Sequence, residues 1–402
     1  MPNETVLLEG HIINNLSLNR TLDMILDSGG DFNMEDIHLG QRNEDPSQAV
    51  IKVTAPTQGI LDSILASIGK LGAIPLERHD VKWKSAPKEG VFPDDFYSTT
   101  NLETQIWFRN KWIPVKGIEM DCGIIFDPDK LQARCVPLIH IKKGDKVITG
   151  REGIKVIPLK TSGQKEIFSF MGSSVSSEKP KHLLIRDIAG RLAAIKKNKG
   201  KILFVGGPAV IHTGAGKSVA SLIKKGYINA LLAGNGFATH DIESALYGTS
   251  LGISLEKGTA VHGGHRNHLR AINTIRAAGS IKAAVNKGIL KSGILYTCVK
   301  THTPYVLAGS IRDDGPLPDV IRDSMEAQEQ IRYYAQRVDA ALMVGSTLHA
   351  IATGNCLPAR VYTVCVDINP AVVTKLGDRG TAQSMGIVTD AASFLGELAL
   401  AL

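Results

Sequence analysis

Six short apolar runs in the C-terminal half of the chain constrain its fold most. Each is rich in β-branched residues or Leu and lacks the polar alternation of a strand with one face in water. Strands buried on both faces belong to parallel sheets, and helical stretches separate most of these runs. The sequence therefore predicts an α/β fold with a C-terminal doubly wound parallel sheet. The predicted strands are Lys201–Gly206, Tyr227–Ala233, Gly293–Val299, Ala340–Val344, Val361–Val366 and Gly386–Val388.

The residues ahead of these runs divide into two smaller parts. The first shows strand and helix patterns in the order β-α-β-β-α-β, with helices expected at Ser17–Leu26 and Thr57–Leu71. That order is typical of a ferredoxin-like α+β unit. The stretch Ser85–Pro93 has the composition of a linker. The β-rich part that follows has predicted strands at Gln105–Phe108, Lys111–Val115 and Val136–Ile141.

Chain length supports this division, because 402 residues exceed what one hydrophobic core usually organises. The Ser-rich run Ser173–Pro180 is typical of a second linker. We therefore expect a ferredoxin-like α+β domain at 1–84, a small β-rich module at 85–175, and a Rossmann-like NAD-binding domain at 176–402.

Composition argues against several classes of protein. The formal net charge of +7 suits an anionic partner, but the Lys and Arg residues are scattered rather than clustered as a nucleic-acid surface requires. The five cysteines are odd in number and contain no CxxC pair, so we expect reduced thiols in a cytoplasmic protein. The N-terminus lacks the pattern of a secretory signal. No apolar run approaches the roughly 18 residues of a membrane span.

The residues that directly follow the predicted strands are small and polar, and open α/β sheets bind ligands there. Gly206-Gly207-Pro208 follows the first strand. The later run GAGKS is not a P-loop, because the first Gly of that motif would fall at Ile211. After the second strand, Gly234-Asn235-Gly236 leads toward a helix expected to begin near His240. Glycines there let a backbone approach a pyrophosphate, and the helix N-terminus supplies N–H donors.

Three further strand ends carry residues suited to a nucleotide. The fourth strand is followed by Gly345-Ser346-Thr347-Leu348-His349, whose hydroxyls either cap the next helix or bind phosphate or ribose. Asp367 and Asp390 follow the fifth and sixth strands, where a carboxylate either accepts ribose hydroxyls or caps a helix. Polar groups on successive strand ends favour one elongated ligand with phosphates and sugars.

Two clusters outside these strand ends suit substrate chemistry. His262, His265 and His268 recur at a spacing of three, but no acidic or Cys ligand is adjacent and Arg266 would repel a cation. We interpret this cluster as substrate or phosphate contacts rather than a metal site. The run Arg312-Asp313-Asp314 either clamps the carboxylate and ammonium of an amino acid or forms a solvated loop.

The longest of these motifs resemble the archaeal and cyanobacterial-type ornithine cyclodeaminase family, also known by the label LOR/SDH conserved domain. The resemblance extends through the first 180 residues and is carried by LLAGNGFATHDIE, VHGGHRNHLRAIN, SIRDDGPLPDV, MVGSTLHAIATGN and VDINPAVVTKLGDRG. Long relatives add an N-terminal arginine dihydrolase module that has no counterpart here, so arginine hydrolysis is not expected. The dinucleotide domain of the family is similar to that of deoxyhypusine synthase, which accounts for the imperfect GxGxxG motif.

The resemblance implies that L-ornithine is converted to L-proline and ammonia with NAD as a recycled cofactor. It implies NAD contacts at Asn235, Gly236, Asp314, Ser346, Thr347, Leu348, His349, Asp367, Asp390 and Ala391. For the chemistry we expect His262, His265 or Asp313 to act as general base, with Cys122 as a candidate thiol or an inert packing residue. Arg266 or Arg312 would bind the substrate carboxylate. No metal is expected, and the partners would be an amino-acid substrate and further copies of the chain in a homo-oligomer.

Two other functions stay open at this point. One is a different NAD enzyme, either an amino-acid dehydrogenase or a transferase like deoxyhypusine synthase, which would need a lysine nucleophile such as Lys217 or Lys300. The other is a non-catalytic regulator that senses amino acids through residues 1–84. The choice between NAD and NADP is also open, although Asp367 would disfavour a 2′-phosphate if it meets the ribose.

Overall fold

The computed structural model of the chain describes residues 1–10, 12, 17–40, 45, 47–69, 71–157, 181–255, 259, 264–313, 315–378 and 384–402, with residues 66, 254 and 265 described by their backbone alone. The chain forms two compact units, Met1–Met171 and Gly172–Leu402. Within the described ranges, no helix combines the length and the apolar character that a membrane crossing needs.

The first part of the N-terminal unit is a small antiparallel sheet with helices on one face. Its elements are β1 Asn3–Gly10, α1 Ser17–Asp27, β2 Asp31–His38, β3 Ser47–Thr54, α2 Gln58–Gly69 and β4 Ile74–Pro75. The strand order β2-β3-β1-β4 is that of a ferredoxin-like sheet. Alternate residues of β3 are buried, and Ile51 and Val53 pack against Ile25 and Ile64 of the helices. β2 lies at the edge of this sheet and is largely exposed.

The second part of this unit is the β module. Its strands are β5 Lys82–Ser85, β6 Thr104–Phe108, β7 Lys111–Lys116, β8 Gly123–Asp127, β9 Gln132–Val136, β10 Lys146–Thr149 and β11 Ile154–Val156. They form one sheet in the order β11-β6-β7-β9-β8-β10-β5, and Trp83, Phe108 and Phe126 meet edge to face in its core. The predicted strand Val136–Ile141 is wrong. β9 ends at Val136 because Pro137 has no N–H for a ladder, and a single 3₁₀ turn follows.

The C-terminal unit alternates strands and helices. Its elements are α3 Lys181–Lys197, β12 Ile202–Gly206, α4 Ala209–His212, α5 Gly216–Lys224, β13 Ala230–Gly234, α6 Asn235–Tyr247, β14 Thr249–Ser250, β15 Ile253–Ser254, α7 Asn267–Ala278, α8 Ile281–Asn286, α9 Ile294–Thr301, β16 Tyr305–Ala308, β17 Val320–Ile321, α10 Ser324–Ala335, β18 Ala340–Val344, α11 Leu348–Cys356, β19 Tyr362–Asp367, α12 Pro370–Asp378, β20 Ser384–Val388 and α13 Ala391–Ala401.

The main sheet of this unit has the order β17-β16-β13-β12-β18-β19-β20, and all its neighbours pair in parallel. In chain order, β12, β13, β16 and β17 follow one another toward one edge of the sheet. The later strands β18, β19 and β20 follow one another toward the other edge. The strand order therefore reverses between β12 and β18. This is the doubly wound arrangement that the sequence predicts.

Apolar clusters cover both faces of this sheet, which explains why its strands lack polar alternation. Phe204 of β12 packs with α3, α5, α6 and α13 on one face. Its neighbours Leu203 and Val205 point to the other face, where Ile331 of α10 and Leu376 of α12 lie. Because both faces are dry, nearly all inward positions are apolar, and the buried exceptions include Thr363 of β19.

The predicted strand Gly293–Val299 is wrong, because this run forms α9, and β16 supplies the third strand of the sheet instead. Gly293 has a φ of +103°, and the N–H groups of Ile294 and Leu295 donate to the two carboxylate oxygens of Asp241 at 2.8 and 2.9 Å. Burial raises the pKa of Asp241 to about 6, while the two N–H donors act in the opposite direction. A short apolar run does not by itself separate a buried helix from a buried strand.

We expect Asp241→Asn to lower the free energy of unfolding by about 1–3 kcal/mol, because an amide offers one acceptor oxygen where two N–H groups need one each. Urea unfolding at pH 7 measures the loss. The matched control is Asp323→Asn at the exposed start of α10. One oxygen of Asp323 accepts the N–H groups of both Met325 and Glu326, and Asn caps a helix nearly as well as Asp does. Equal stability of the two variants would contradict this role of Asp241.

Candidate active site

The reversal of strand order places two backbone segments against each other at the carboxyl ends of β12 and β18. The N–H of Gly207 donates to the carbonyl of Val344 at 3.0 Å. A Cβ atom on Gly207 would overlap the carbonyl oxygen of Gly345 and lie 2.5 Å from its carbonyl carbon. Gly345 itself has a φ of +61°. This glycine pair therefore makes a rim of bare backbone at the point where open α/β sheets hold their ligands.

The next strand end on this rim leads straight into a helix. α6 begins at Asn235, directly after β13, rather than near His240 as the sequence predicted. Gly234 precedes the helix in an extended conformation and has no side chain that could cap the first N–H groups of α6. A Cβ on Gly236 would come 3.5 Å from the ring of Pro208. The glycine motif is thus the first turn of a helix whose N–H groups lie at the rim.

Three of the predicted site residues meet at the ends of β13, β16 and β18. The Asn235 amide donates to the Asp313 carboxylate at 3.3 Å, and the other Asp313 oxygen accepts the Ser310 N–H at 2.7 Å. A Cβ on Gly234 would lie 2.7 Å from the His349 ring. Burial lowers the pKa of His349, against the opposing effect of Asp313, so the imidazole is neutral at pH 7. This cluster joins a carboxylate, an amide and a neutral ring.

The other predicted cofactor residues occupy the remaining strand ends. Ser346 is buried, whereas Thr347 and Leu348 are exposed. Asp390 caps α13 through the N–H groups of Ala392 and Ser393, and Ala391 is buried behind it. The cap of α12 is Asn369, which accepts the Ala371 N–H at 3.0 Å, and Asp367 only accepts the Asn369 N–H. Of the two carboxylates, Asp390 is therefore the one already used as a helix cap.

Several predicted chemical residues lie elsewhere or outside the described residues. Arg266 and Arg312 are exposed, and Arg312 lies beside Asp313 in one loop. His262 and Asp314 fall outside the described residues, and the backbone alone is described for His265. Within the described ranges, no group of three or more His, Cys, Asp or Glu side chains is arranged to hold a metal ion.

Cys122 belongs to the β module and is buried. Its thiol donates to the Glu119 carboxylate at 3.4 Å. Its pKa is raised by the neighbouring Cys135 thiol, by burial and by Glu119. A thiol held protonated is a weak nucleophile. These surroundings favour a packing role for Cys122.

A polar network that the sequence did not predict lies behind the rim. Glu243 of α6 is fully buried and accepts hydrogen bonds from Thr249 Oγ1 at 2.8 Å and from the N–H groups of Gly252 and Leu251 at 3.0 and 3.2 Å. His240, one turn earlier on α6, pairs with it through Nδ1 at 2.9 Å. The signal that could have revealed this pair is a His and a Glu three residues apart on a predicted helix.

Family models match the chain from end to end. The family model described as "LOR/SDH bifunctional enzyme conserved region" matches residues 3–102. The descriptions "Arginine dihydrolase ArgZ-like, C-terminal, first region" and "Arginine dihydrolase ArgZ-like, C-terminal, Rossmann fold" match residues 103–185 and 186–398. The last of these covers more than half of the chain.

Similar proteins are known from archaea and cyanobacteria. The ornithine cyclodeaminase of Methanothermobacter thermautotrophicus is 54% identical over 396 residues, which are 98% of this chain and 96% of that protein. A conserved LOR/SDH protein of Methanococcus maripaludis S2 has a crystal structure with 49% identity and a TM-score of 0.78, covering 81% of this chain and 98% of the other. A ternary complex of AgrE with ornithine and NAD⁺ is 42% identical with a TM-score of 0.54, covering 100% of this chain and 57% of the other.

We expect Gly207→Ala to lower the free energy of unfolding by about 1–3 kcal/mol and to weaken NAD binding at least about tenfold, because the new Cβ must push the Gly345 backbone away. Urea unfolding and calorimetric titration with NAD measure the two effects. Gly216→Ala is the matched control, since a Cβ there meets nothing closer than 3.9 Å. Unchanged NAD affinity in Gly207→Ala would refute the role of the glycine pair.

Proposed function

The chain belongs to the ornithine cyclodeaminase family of archaea and cyanobacteria, and we propose that it converts L-ornithine to L-proline and ammonia with NAD as a recycled cofactor. The near-complete match at 54% identity to an ornithine cyclodeaminase carries this proposal. The ternary complex of AgrE with ornithine and NAD⁺ names a substrate and a cofactor for a relative.

The described rim fits a dinucleotide. A side chain on Gly207 would collide with the Gly345 backbone, so bare main chain lines the rim there, and the first turn of α6 presents N–H groups through Asn235 and Gly236. Ser346 adds a hydroxyl at the next strand end. When bound there, NAD would supply an acceptor and later a donor of hydride for the α-carbon of the substrate, so the overall conversion carries no net redox change.

The loop after β16 has the charges that an amino acid needs. Arg312 and Asp313 are adjacent, so a guanidinium can bind the α-carboxylate while a carboxylate attracts the α-ammonium. Asp313 is also fixed in place by the Asn235 amide and the Ser310 N–H. We therefore assign substrate binding to Arg312 and Asp313, with Arg266 as the alternative ligand of the carboxylate.

The other predicted site residues belong to the same proposal. The remaining NAD contacts are assigned to Asp314, Thr347, Leu348, His349, Asp367, Asp390 and Ala391. The candidates that the sequence offers for the general base are His262, His265 and Asp313. The domain boundaries at residues 84 and 175, a homo-oligomeric state and a cytoplasmic location are likewise proposed.

A transferase like deoxyhypusine synthase is less well supported by the geometry. Such an enzyme would need a lysine nucleophile at the site, and the two candidates are Lys217 and Lys300. Both are exposed side chains on the helices α5 and α9 rather than in a loop after a strand of the main sheet. An amino-acid dehydrogenase uses the same cofactor and is separated from a cyclodeaminase by its products.

Incubation with α-deuterated L-ornithine and a catalytic amount of NAD tests the reaction. We expect proline that retains the deuterium, equimolar ammonia and no accumulation of NADH, because hydride leaves and returns to the same carbon. Mass spectrometry of proline and absorbance at the NADH band measure these outcomes. Steady NADH accumulation without proline would instead identify a dehydrogenase.

We expect Asp313→Asn to raise the KM for ornithine about 10- to 100-fold, because a charge-assisted hydrogen bond to the ammonium contributes roughly 1.5–3 kcal/mol. Steady-state kinetics measure the change. Asp323→Asn is the control for removing a carboxylate from this unit. An unchanged KM in Asp313→Asn would remove Asp313 from the substrate site.

A further inference from the structure

Glu243 accepts one hydrogen bond more than the support of the β14–β15 hairpin requires. Thr249 and the N–H groups of Leu251 and Gly252 belong to this hairpin, and their bonds to Glu243 hold it against α6. His240 lies on α6 itself, so its bond to Glu243 ties down no other segment. A purely structural role of the Glu243 carboxylate does not explain why its remaining hydrogen bond comes from a histidine.

Glu243 is held as an anion by the groups that donate hydrogen bonds to it. Burial raises the pKa of its carboxyl, but the bonds from His240, Gly252 and Thr249 outweigh that effect and hold the pKa below its ordinary value. Both oxygens already accept hydrogen bonds. A carboxylate in this state orients the partner ring and favours Nδ1 as the protonated nitrogen.

That orientation leaves the second nitrogen of His240 as an acceptor. Among the residues that the structure describes, the ring makes its hydrogen bond through Nδ1 to Glu243, and Nε2 makes none. The side chain is 12% exposed, so the ring is largely shielded from water and yet reachable from one side. A carboxylate bonded to one ring nitrogen, with the other left open, is the usual arrangement of a histidine general base.

A second histidine connects this ring with the surface. The rings of His212 and His240 lie 4.8 Å apart between centroids. His212 is exposed on α4, and its Nδ1 lies 2.7 Å from the hydroxyl of Ser250. Burial and the neighbouring His240 lower the pKa of His212, against the opposing effect of Glu243, so a proton that reaches this ring is readily released to solvent.

The two histidines lie close to the dinucleotide rim. Pro208 at the start of α4 faces Gly236 in the first turn of α6. His212 and His240 follow these residues by four positions on each helix, which is about one turn. The pair therefore lies roughly one helical turn behind the glycine rim, on surfaces where α4 and α6 pack together.

The cyclisation of ornithine needs a base that accepts a proton from the substrate. An ammonium nitrogen has no lone pair, so a proton must leave before an imine forms at the α-carbon and before the side-chain amine can attack it. We propose that His240 Nε2 accepts this proton from a substrate ammonium, that Glu243 is the positioning residue for the ring, and that His212 passes the proton to solvent.

In this step the substrate N–H bond breaks and its electron pair stays on nitrogen. A bond from the proton to Nε2 forms, and the imidazolium is stabilised by the Glu243 carboxylate. The proton then leaves through His212 or water, which restores the neutral ring. No oxidant or further reactant is involved. The proposal rests on the proposed cyclodeaminase function.

The first test is His240→Asn, because its amide can still donate to Glu243 from the position of Nδ1 while no atom replaces Nε2. We expect kcat to fall about 10²- to 10⁴-fold with the Kd for NAD and the unfolding midpoint little changed. His182→Asn, an exposed histidine of α3, is the control for the substitution itself. Calorimetric titration, urea unfolding and steady-state kinetics provide these readouts.

Glu243→Gln and His240→Ala separate positioning from chemistry. The amide that Glu243→Gln introduces would donate to Nδ1 and so place the ring proton on Nε2, and we expect a loss of kcat that added imidazole does not restore. His240→Ala leaves room at the ring position, and we expect imidazole to restore part of its activity in a saturable manner. That rescue is a result that a purely structural histidine cannot give.

Each outcome decides between specific claims. If the wild-type protein makes no proline from ornithine, the proposed function itself fails. If it does, and His240→Asn keeps kcat within about threefold, the assignment of the base fails alone. Loss of folding or of NAD binding in His240→Asn, or absence of imidazole rescue in His240→Ala, would assign the network a structural role and overturn the inference.

Discussion

The close approach of two backbones at the reversal of the main sheet is the constraint on which the rest of the site depends. β12 and β18 are neighbours in the sheet but lie far apart in sequence, and their loops touch through Gly207 and Gly345. Because no side chain separates them, the rim can offer main-chain groups to a phosphate at short range. Asn235, Asp313 and His349 then take their places from the strands that flank this contact.

The helices that leave the rim carry a second layer of chemistry. α6 starts as a row of open N–H groups, continues through Gly236 against Pro208, and one turn later presents His240 to Glu243 and His212. Our proposals thus assign nucleotide contact and proton transfer to one rigid element. Rigid elements hold catalytic groups more accurately than loops do, so their spacing survives thermal motion.

The sequence predicts those parts of this arrangement that local patterns encode. Strands dry on both faces must be apolar throughout, so β12, β18 and β19 were recognisable, and glycines after strands marked the rim. Gly293–Val299 was misassigned, because a buried helix gives the same apolar run as a buried strand. The carboxylate that accepts the first N–H groups of α9 belongs to Asp241, about fifty positions earlier in the sequence. The contact between His212 and His240 was likewise hidden, because two helices bring these rings together only in the folded chain.

The edge of the ferredoxin-like sheet limits how copies of this protein can meet. β2 runs along that edge, and it carries Asp31, Glu35 and Asp36 without a single Lys or Arg. Two such edges brought side by side would repel each other at neutral pH, which disfavours polymerisation through pairing of these strands. A symmetric assembly built by extending this sheet through β2 is therefore disfavoured.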